Sequence, residues 1–202
     1  MHTPTPRLVA ATLAVALVST TGLGAQGAPS KRDAETMKKK VAAIVAFGER
    51  PSKQVRRTTL TENEANAYLA YETADQLPVG VVEPVVGLLG GGRVTARAVV
   101  DLDAVRKSSP STGLFDPRSF LRGHLPVTAI GVLRGMGGAG RFELESATVG
   151  GVPIPKLFLQ EIVSFYSKSP EKPAGVSLDD PFPLPSGIRE VQVERGQAII
   201  VQ

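Results

Sequence analysis

The chain carries few side chains that could do catalytic chemistry. It has no cysteine and two histidines, of which His2 lies at the N-terminus and His124 is internal. A zinc site needs several histidine or cysteine ligands, and a thiol nucleophile needs a cysteine. A Ser-His-Asp triad would have to use His124, yet no Gly-x-Ser-x-Gly elbow accompanies it. We therefore expect a surface or loop histidine, and a protein that is not an enzyme and holds no metal or cofactor.

A glycine-rich segment, residues 135–140, matches the letters of the Gly-x-Gly-x-x-Gly dinucleotide fingerprint and follows a predicted strand. A phosphate-binding loop must open a helix, whose N-terminal amides meet the phosphates. The following residues, 141–145, alternate between polar and apolar side chains, as in a strand. The pattern therefore predicts a hairpin turn and not a nucleotide site.

Two pairs of acids leave one enzymatic option open, because two carboxylates that face a cleft can cleave a glycoside. Asp101 and Asp103 lie at a predicted strand end, and Asp179 and Asp180 precede a proline-rich loop. The chain has no tryptophan, and aromatic residues make up 5% of it, which disfavours a sugar-stacking site. We expect loop acids in contact with solvent, and keep a hydrolase that uses them as a third alternative.

The N-terminus has the pattern of a bacterial secretory signal peptide. A short polar start with one basic side chain precedes an apolar run over residues 8–18, which is shorter than the about 20 residues that a membrane-spanning helix needs. Small residues follow as far as Ala28 and offer several cleavage points. We predict a signal peptide over 1–28, a single α+β domain over 29–202, and a periplasmic or secreted location.

Basic residues are concentrated at the start of the predicted mature chain. They exceed acidic residues between 29 and 60, and include Lys38, Lys39 and Lys40, whereas the remainder is slightly acidic. Such a segment on an exported protein suits contact with an anionic membrane surface. The alternative is that these lysines form the solvated side of a helix. Nucleic acid is not an expected partner, since export separates the chain from it.

Local patterns predict helices and hairpins in a definite order. Helical spacing of apolar residues predicts a helix over 33–47, and Thr61 with Glu64 forms a capping box that opens a second helix. A run of apolar residues predicts a third helix over 155–166. Three hairpins are predicted over 79–102, 126–149 and 188–201, with Pro84 indicating an edge position or a bulge.

This order lacks the regular alternation of strands and crossover helices that builds parallel sheets. It predicts an α+β fold with a long antiparallel sheet built from hairpins and packed around two or three helices.

The second hairpin is apolar on both sides. Val127, Ala129 and Leu133 alternate with Ile130 and Val132 on its first strand. Two-sided apolarity is typical of a strand inside a closed core, but it also suits a groove for an apolar ligand, with the helix over 155–166 as a lid. Both interpretations stay open.

Three segments carry a family resemblance: residues 60–69, 150–155 and 184–191. With the two long hairpins they resemble bacterial exported proteins related to the tubular lipid-binding superfamily. The resemblance implies a long curved antiparallel sheet wrapped around a helix, with a lipid between them and no catalysis. This chain departs from the family by its basic N-terminal helix, where a transmembrane anchor often stands. By position, the residues implied to line the groove are Tyr68, Leu69, Ile130, Val132, Phe158, Ile162 and Phe165.

The sequence thus predicts an exported protein that binds a lipid or other apolar ligand in a groove between sheet and helix. The alternative is an envelope structural or interaction module with a closed core and no small ligand.

Overall fold

The structure is a computed structural model that describes residues 28–50, 52–108, 122–166 and 172–202. The predicted signal peptide, apart from Ala28, therefore lies outside the described residues. Within these ranges a few side chains are also outside the description: those of Ala74, Arg106, Ser108, Ile162, Phe165 and Tyr166.

The described residues form an antiparallel sheet and a small number of helices. The helices are α1 (Lys31–Gly48), α2 (Glu62–Glu72), α3 (Leu102–Ser108) and α4 (Lys156–Tyr166), with a 3-10 turn at Ala74–Gln76. The strands are β1 (Arg57–Thr61), β2 (Val81–Gly90), β3 (Arg93–Asp101), β4 (His124–Met136), β5 (Ala139–Val149), β6 (Val152–Pro153), β7 (Phe182–Pro183), β8 (Glu190–Glu194) and β9 (Gln197–Val201). The predicted α+β class, a large antiparallel sheet of hairpins packed against few helices, is confirmed.

The long strand β4 joins two parts of the sheet. The strand order is β1-β9-β8-β4-β3-β2, and β5 pairs with β4 outside this path. β3 pairs with β4 from His124 to Val132, whereas β8 pairs with it at Gly135 and Met136. β3 and β8 therefore follow one another along the same edge of β4, and β5 occupies the other edge.

The glycine-rich segment is a hairpin turn, as predicted. Met136 pairs with Ala139, so only Gly137 and Gly138 form the loop. Their φ angles are 63° and 82°, and positive φ at both central residues is the type I′ pattern that matches strand twist. Glycine adopts this conformation without a steric penalty.

Pro84 lies at a bulge in the outermost strand of the path, as its position in an apolar run predicted. The pairing of β2 with β3 shifts between Val82 and Val85, and Glu83 between them has a φ of 52°. Proline cannot donate a ladder hydrogen bond, which confines it to such positions.

The capping box that opens α2 is present in full. The Thr61 hydroxyl accepts from the Glu64 amide at 3.2 Å, and the Glu64 carboxylate accepts from the Thr61 amide at 2.9 Å. α2 packs along α1, where Ala34 and Ala67 are 1% and 0% exposed. These small side chains allow the two helices to lie close together.

The spacing of apolar residues along α2 predicts a buried side made of Ala65, Tyr68, Leu69 and Tyr71. The structure differs: the buried residues of α2 are Glu62, Glu64, Asn66 and Ala67, and Tyr71 is 46% exposed. The reason is that polar side chains on this helix form hydrogen bonds with the backbone of a neighbouring strand.

Asn66 and Glu62 lie one helical turn apart and bind the outer edge of β2. The Asn66 amide donates to the Val86 carbonyl at 2.9 Å and its oxygen accepts from the Val86 amide at 2.8 Å. The Leu88 amide donates to the Glu62 carboxylate. An unpaired strand edge is a site for unwanted pairing, and a helix that covers it removes that hazard.

α1 makes a similar contact with the other end of the strand order. Lys40 Nζ donates to the Thr59 carbonyl of β1 at 2.7 Å, and the Arg56 guanidinium donates to the Ala43 carbonyl at 3.2 Å. Gln202, 2% exposed, donates to the Ile44 carbonyl at 2.8 Å. α1 therefore contacts the outer strand β1, and α2 contacts the outer strand β2.

Replacement of Asn66 by alanine should destabilise the protein by about 2 kcal/mol, because it leaves the amide and carbonyl of Val86 without their partner. Urea unfolding at neutral pH measures the loss as a lower midpoint. Asn63→Ala is the matched control, since Asn63 is an exposed residue of the same helix. Equal midpoints for the two variants would contradict the role given to Asn66.

Candidate functional site

One face of the hairpin sheet is almost entirely apolar. The register aligns Val94, Ala96 and Ala98 of β3 with Gly131, Ala129 and Val127 of β4, and side chains that alternate along a strand share a face. We call the following set the apolar face: Val86, Leu88, Val94, Ala96, Ala98, Val100, Leu125, Val127, Ala129, Leu133, Phe142, Leu144, Ala147 and Val149. Ala147 is buried, Ala96 is exposed and the others are partly exposed.

The opposite face of the same hairpins carries most of their charge. Arg93 forms an ion pair with Glu145 at 2.7 Å, and Arg134 lies 3.6 Å from Glu143. Ile130 and Val132, two residues of the predicted lining, lie on this charged face. Val132 has Arg93 and Glu143 as its cross-strand neighbours, so the structure separates these two side chains from the apolar face.

A cavity of about 470 Å³ lies between α2 and β2. Its wall includes five consecutive residues of β2, residues 81–85, which span the bulge. Val82 and Val85 of this wall are 38% and 41% exposed, so the cavity reaches the surface. The full lining is Pro29, Asn66, Leu69, Ala70, Leu77, Val81, Val82, Glu83, Pro84 and Val85.

A second cavity of about 360 Å³ lies between α1 and the end of α2. Its walls are more polar and consist of Lys31, Ala34, Glu35, Tyr71 and Glu72. The Tyr71 hydroxyl donates to the carbonyl of Pro29 at 3.1 Å, and Pro29 lines the first cavity. This hydrogen bond therefore marks the boundary between the two.

α4 stands against β5, away from both cavities. Phe158 on this helix is 54% exposed and Leu157 is 80% exposed. The Gln160 side chain accepts from the Leu178 amide at 2.7 Å and donates to the Val176 carbonyl at 3.1 Å, which holds the helix to the segment that follows it. The side chains of Ile162 and Phe165 lie outside the described residues.

The five described side chains of the predicted lining do not meet in one cavity. Leu69 lines the 470 Å³ cavity. Tyr68 is a partly exposed residue of α2 outside both linings, Ile130 and Val132 lie on the charged face, and Phe158 lies on α4. The lining residues Leu77, Val81, Val82 and Val85 were not anticipated, although Pro84 did indicate the irregularity that shapes their wall.

The predicted membrane-contact lysines differ in their surroundings. Lys38 forms an ion pair with Glu72 at 2.6 Å, and the hydrogen bond and charge of Glu72 raise the pKa of Lys38. Lys40 binds both carboxylate oxygens of Glu64 at 2.7 Å. Lys39 is exposed and makes no ion pair with a described residue.

The Lys40–Glu64 pair is partly buried, with the two side chains 30% and 11% exposed. Burial acts to raise the pKa of Glu64, but the hydrogen bonds from Lys40 and Thr61 and the charge of Lys40 outweigh it, so that the pKa lies below its ordinary value of 4.5. The pair joins α1, α2 and the end of β1.

Comparison with known proteins gives a plain result. No protein-family model, curated protein or solved structure matches this chain. The resemblance to tubular lipid-binding proteins is therefore a hypothesis that rests on the sequence motifs alone.

The candidate catalytic acids hold structural positions. Asp101 accepts from the amides of Ala104 and Asp103 at 3.0 and 2.9 Å and caps α3, and these bonds, with the charge of His124, lower its pKa. His124 lies 3.9 Å from Asp101 with its side chain 65% exposed. Asp179 pairs with Lys156.

Within the described ranges, no three His, Asp or Glu side chains come together as a potential metal site. None of the helices described is both long and apolar enough to span a membrane.

Glu64→Gln should reduce stability by about 1–2 kcal/mol at pH 7, as expected for a hydrogen-bonded charged partner. A carboxylate whose folded pKa is lowered stabilises above its unfolded pKa, and this contribution is lost as pH falls through the folded pKa. The difference between parent and variant should therefore shrink below pH 4.5, measured by urea unfolding at several pH values. A difference that persists unchanged at the lowest pH would contradict the ion pair.

Phe158→Asp should fold normally and lose less than about 1 kcal/mol, because the ring is already half exposed and an acid suits the first turn of a helix. Ala147→Asp, at a position 4% exposed, is the contrasting variant and should lose about 3 kcal/mol or more by burying an unpaired charge. Thermal unfolding of both variants makes the comparison. Collapse of the Phe158 variant would mean that this side chain belongs to a closed core.

Proposed function

We propose that this protein binds a lipid or another apolar molecule in the cavity between α2 and β2, without catalysis, after export to the periplasm or the exterior. The observation that carries the proposal is the cavity itself. Its volume of about 470 Å³ lies in the range of about 300–1,000 Å³ typical of small-molecule sites.

The chemistry of the wall favours an apolar occupant. Leu69, Leu77 and Val81 contribute only carbon side chains, and Asn66 has its oxygen and one amide hydrogen engaged by Val86 at 2.8 and 2.9 Å. Glu83, the one charged residue of the lining, is exposed to solvent. The wall is therefore mainly apolar. An acyl chain would gain about 0.8 kcal/mol for each methylene buried, so about ten methylenes give the free energy of a micromolar complex, about 8 kcal/mol, before the cost of association.

The apolar face supports the same proposal. Val81 of the cavity wall pairs with Val100 of β3, which belongs to that face. A chain longer than the cavity therefore has a continuous apolar path along the hairpins.

The proposal includes contact of α1 with an anionic membrane surface. Lys38 and Lys40 are engaged by Glu72 and Glu64, so the exposed residues Lys31, Arg32 and Lys39 are the better candidates for that contact. Each basic residue near an anionic surface contributes about 1 kcal/mol.

An envelope interaction module is the second candidate. It is favoured by the apolar surface of α4 and β6, where Leu157, Val152 and Phe158 are 80%, 64% and 54% exposed. Such a module would still bind its envelope partner when a larger side chain fills the 470 Å³ cavity, whereas a lipid-binding protein would lose its ligand.

Ala70→Trp tests the proposal, because Ala70 lies at the mouth of the cavity on an exposed position of α2. Titration with a fluorescent fatty acid should give a saturable signal for the parent and an affinity lower by about tenfold or more for the variant, since excluding two or three methylenes removes about 2 kcal/mol.

Ala42→Trp is the matched control, an exposed alanine of α1 that lines neither cavity. It should bind as the parent does. Absence of binding by the parent, or equal binding by both tryptophan variants, would refute the proposed site.

A further inference from the structure

The two cavities beside α2 differ in chemistry and adjoin one another. Leu69 and Ala70 line the apolar cavity, and the next two residues, Tyr71 and Glu72, line the polar one. Four consecutive helical residues span only about 5 Å along the axis. The two cavities therefore lie near one another at the end of α2, with the Tyr71–Pro29 hydrogen bond between them.

The apolar cavity is suited to a single acyl chain. If a methylene occupies about the volume of a water molecule, about 30 Å³, its 470 Å³ hold about fifteen methylenes. The cavity itself therefore has room for one chain of about that length.

The polar cavity offers one charge of each sign. Lys31 and Glu35 lie one helical turn apart on α1, about 6 Å along the axis, and neither forms an ion pair with a described residue. Glu72, the other acid in the wall, is already engaged by Lys38 at 2.6 Å. The free pair suits a headgroup that carries an anion and a cation a short distance apart.

We propose that the ligand is a single-chain zwitterionic phospholipid, with its acyl chain in the cavity between α2 and β2 and its headgroup between α1 and α2. Lys31 binds the phosphate and Glu35 binds the ammonium group. This inference rests on the proposed function, because it assigns a polar end to a ligand whose apolar end that function supplies.

Competition binding with three probes that share a palmitoyl chain tests the assignment. The probes are palmitate, lysophosphatidylglycerol, which has an anionic headgroup, and lysophosphatidylethanolamine, which has a zwitterionic one. The parent should bind the zwitterionic probe about fivefold more tightly than either of the others, the upper end of what an exposed ion pair contributes.

Variants of the polar cavity should change the selectivity between headgroups and leave the affinity for the acyl chain unchanged. Lys31→Ala and Glu35→Gln should each lower the affinity for the zwitterionic probe by about fivefold and leave the affinity for palmitate unchanged. Glu35→Gln should remove the preference over lysophosphatidylglycerol, because it deletes the ammonium partner. Lys53→Ala is the control, an exposed base beyond the end of α1 and outside both linings, and should bind all probes as the parent does.

The possible failures are distinguishable. In one outcome the parent binds the three probes equally, Ala70→Trp lowers the affinity for all of them, and Lys31→Ala and Glu35→Gln leave every affinity unchanged. The headgroup assignment is then wrong, and the proposed apolar site is supported. If lysophosphatidylglycerol binds as tightly as the zwitterionic probe, the zwitterionic class is wrong. If no probe binds the parent, both proposals fall.

Discussion

The hydrogen bonds from Glu62 and Asn66 to the edge of β2 are the interaction on which the arrangement of helices and sheet depends. They join α2 to a strand that follows it in the chain, with Asn66 and Val86 twenty residues apart. α1 in turn is held to α2 by packing and by the Lys40–Glu64 pair. Buried polar groups need such partners, and their loss leaves donors and acceptors without water or protein contacts.

The apolar cavity begins where these hydrogen bonds end. Asn66 engages Val86, but the bulge at Val82–Val85 carries the preceding part of β2 out of register. Leu69 and Ala70, one turn further along α2, line the cavity together with Val82 and Val85 of this part of the strand. A regular β2 would have allowed the helix to lie along its whole edge and would have closed the space that we assign to the ligand.

The sequence allowed the hairpins and the helix starts to be predicted, because their signals are local. Alternation from Val94 to Val100, the glycine turns and the Thr61–Glu64 capping box each involve neighbouring residues. The buried face of α2 could not be predicted, since Glu62 and Asn66 are buried because they form hydrogen bonds with the edge of a strand that is distant in sequence. Val82 and Val85 of the cavity wall were likewise not anticipated, since their positions depend on strand pairing and the bulge.

The position of β9 between β1 and β8 has a consequence for how the chain folds. β1 pairs with β9 from Arg57↔Val201 to Thr61↔Gln197. A strand near the start of the described chain therefore has no paired neighbour in the sheet until the last strand has formed. The α1–α2 hairpin is local and can form soon after its synthesis, whereas closing the β1–β9 ladder requires contacts across most of the chain. Such distant pairings slow folding. The two helices therefore form before the outer edge of β1 is paired, and β9 is the strand that completes the sheet.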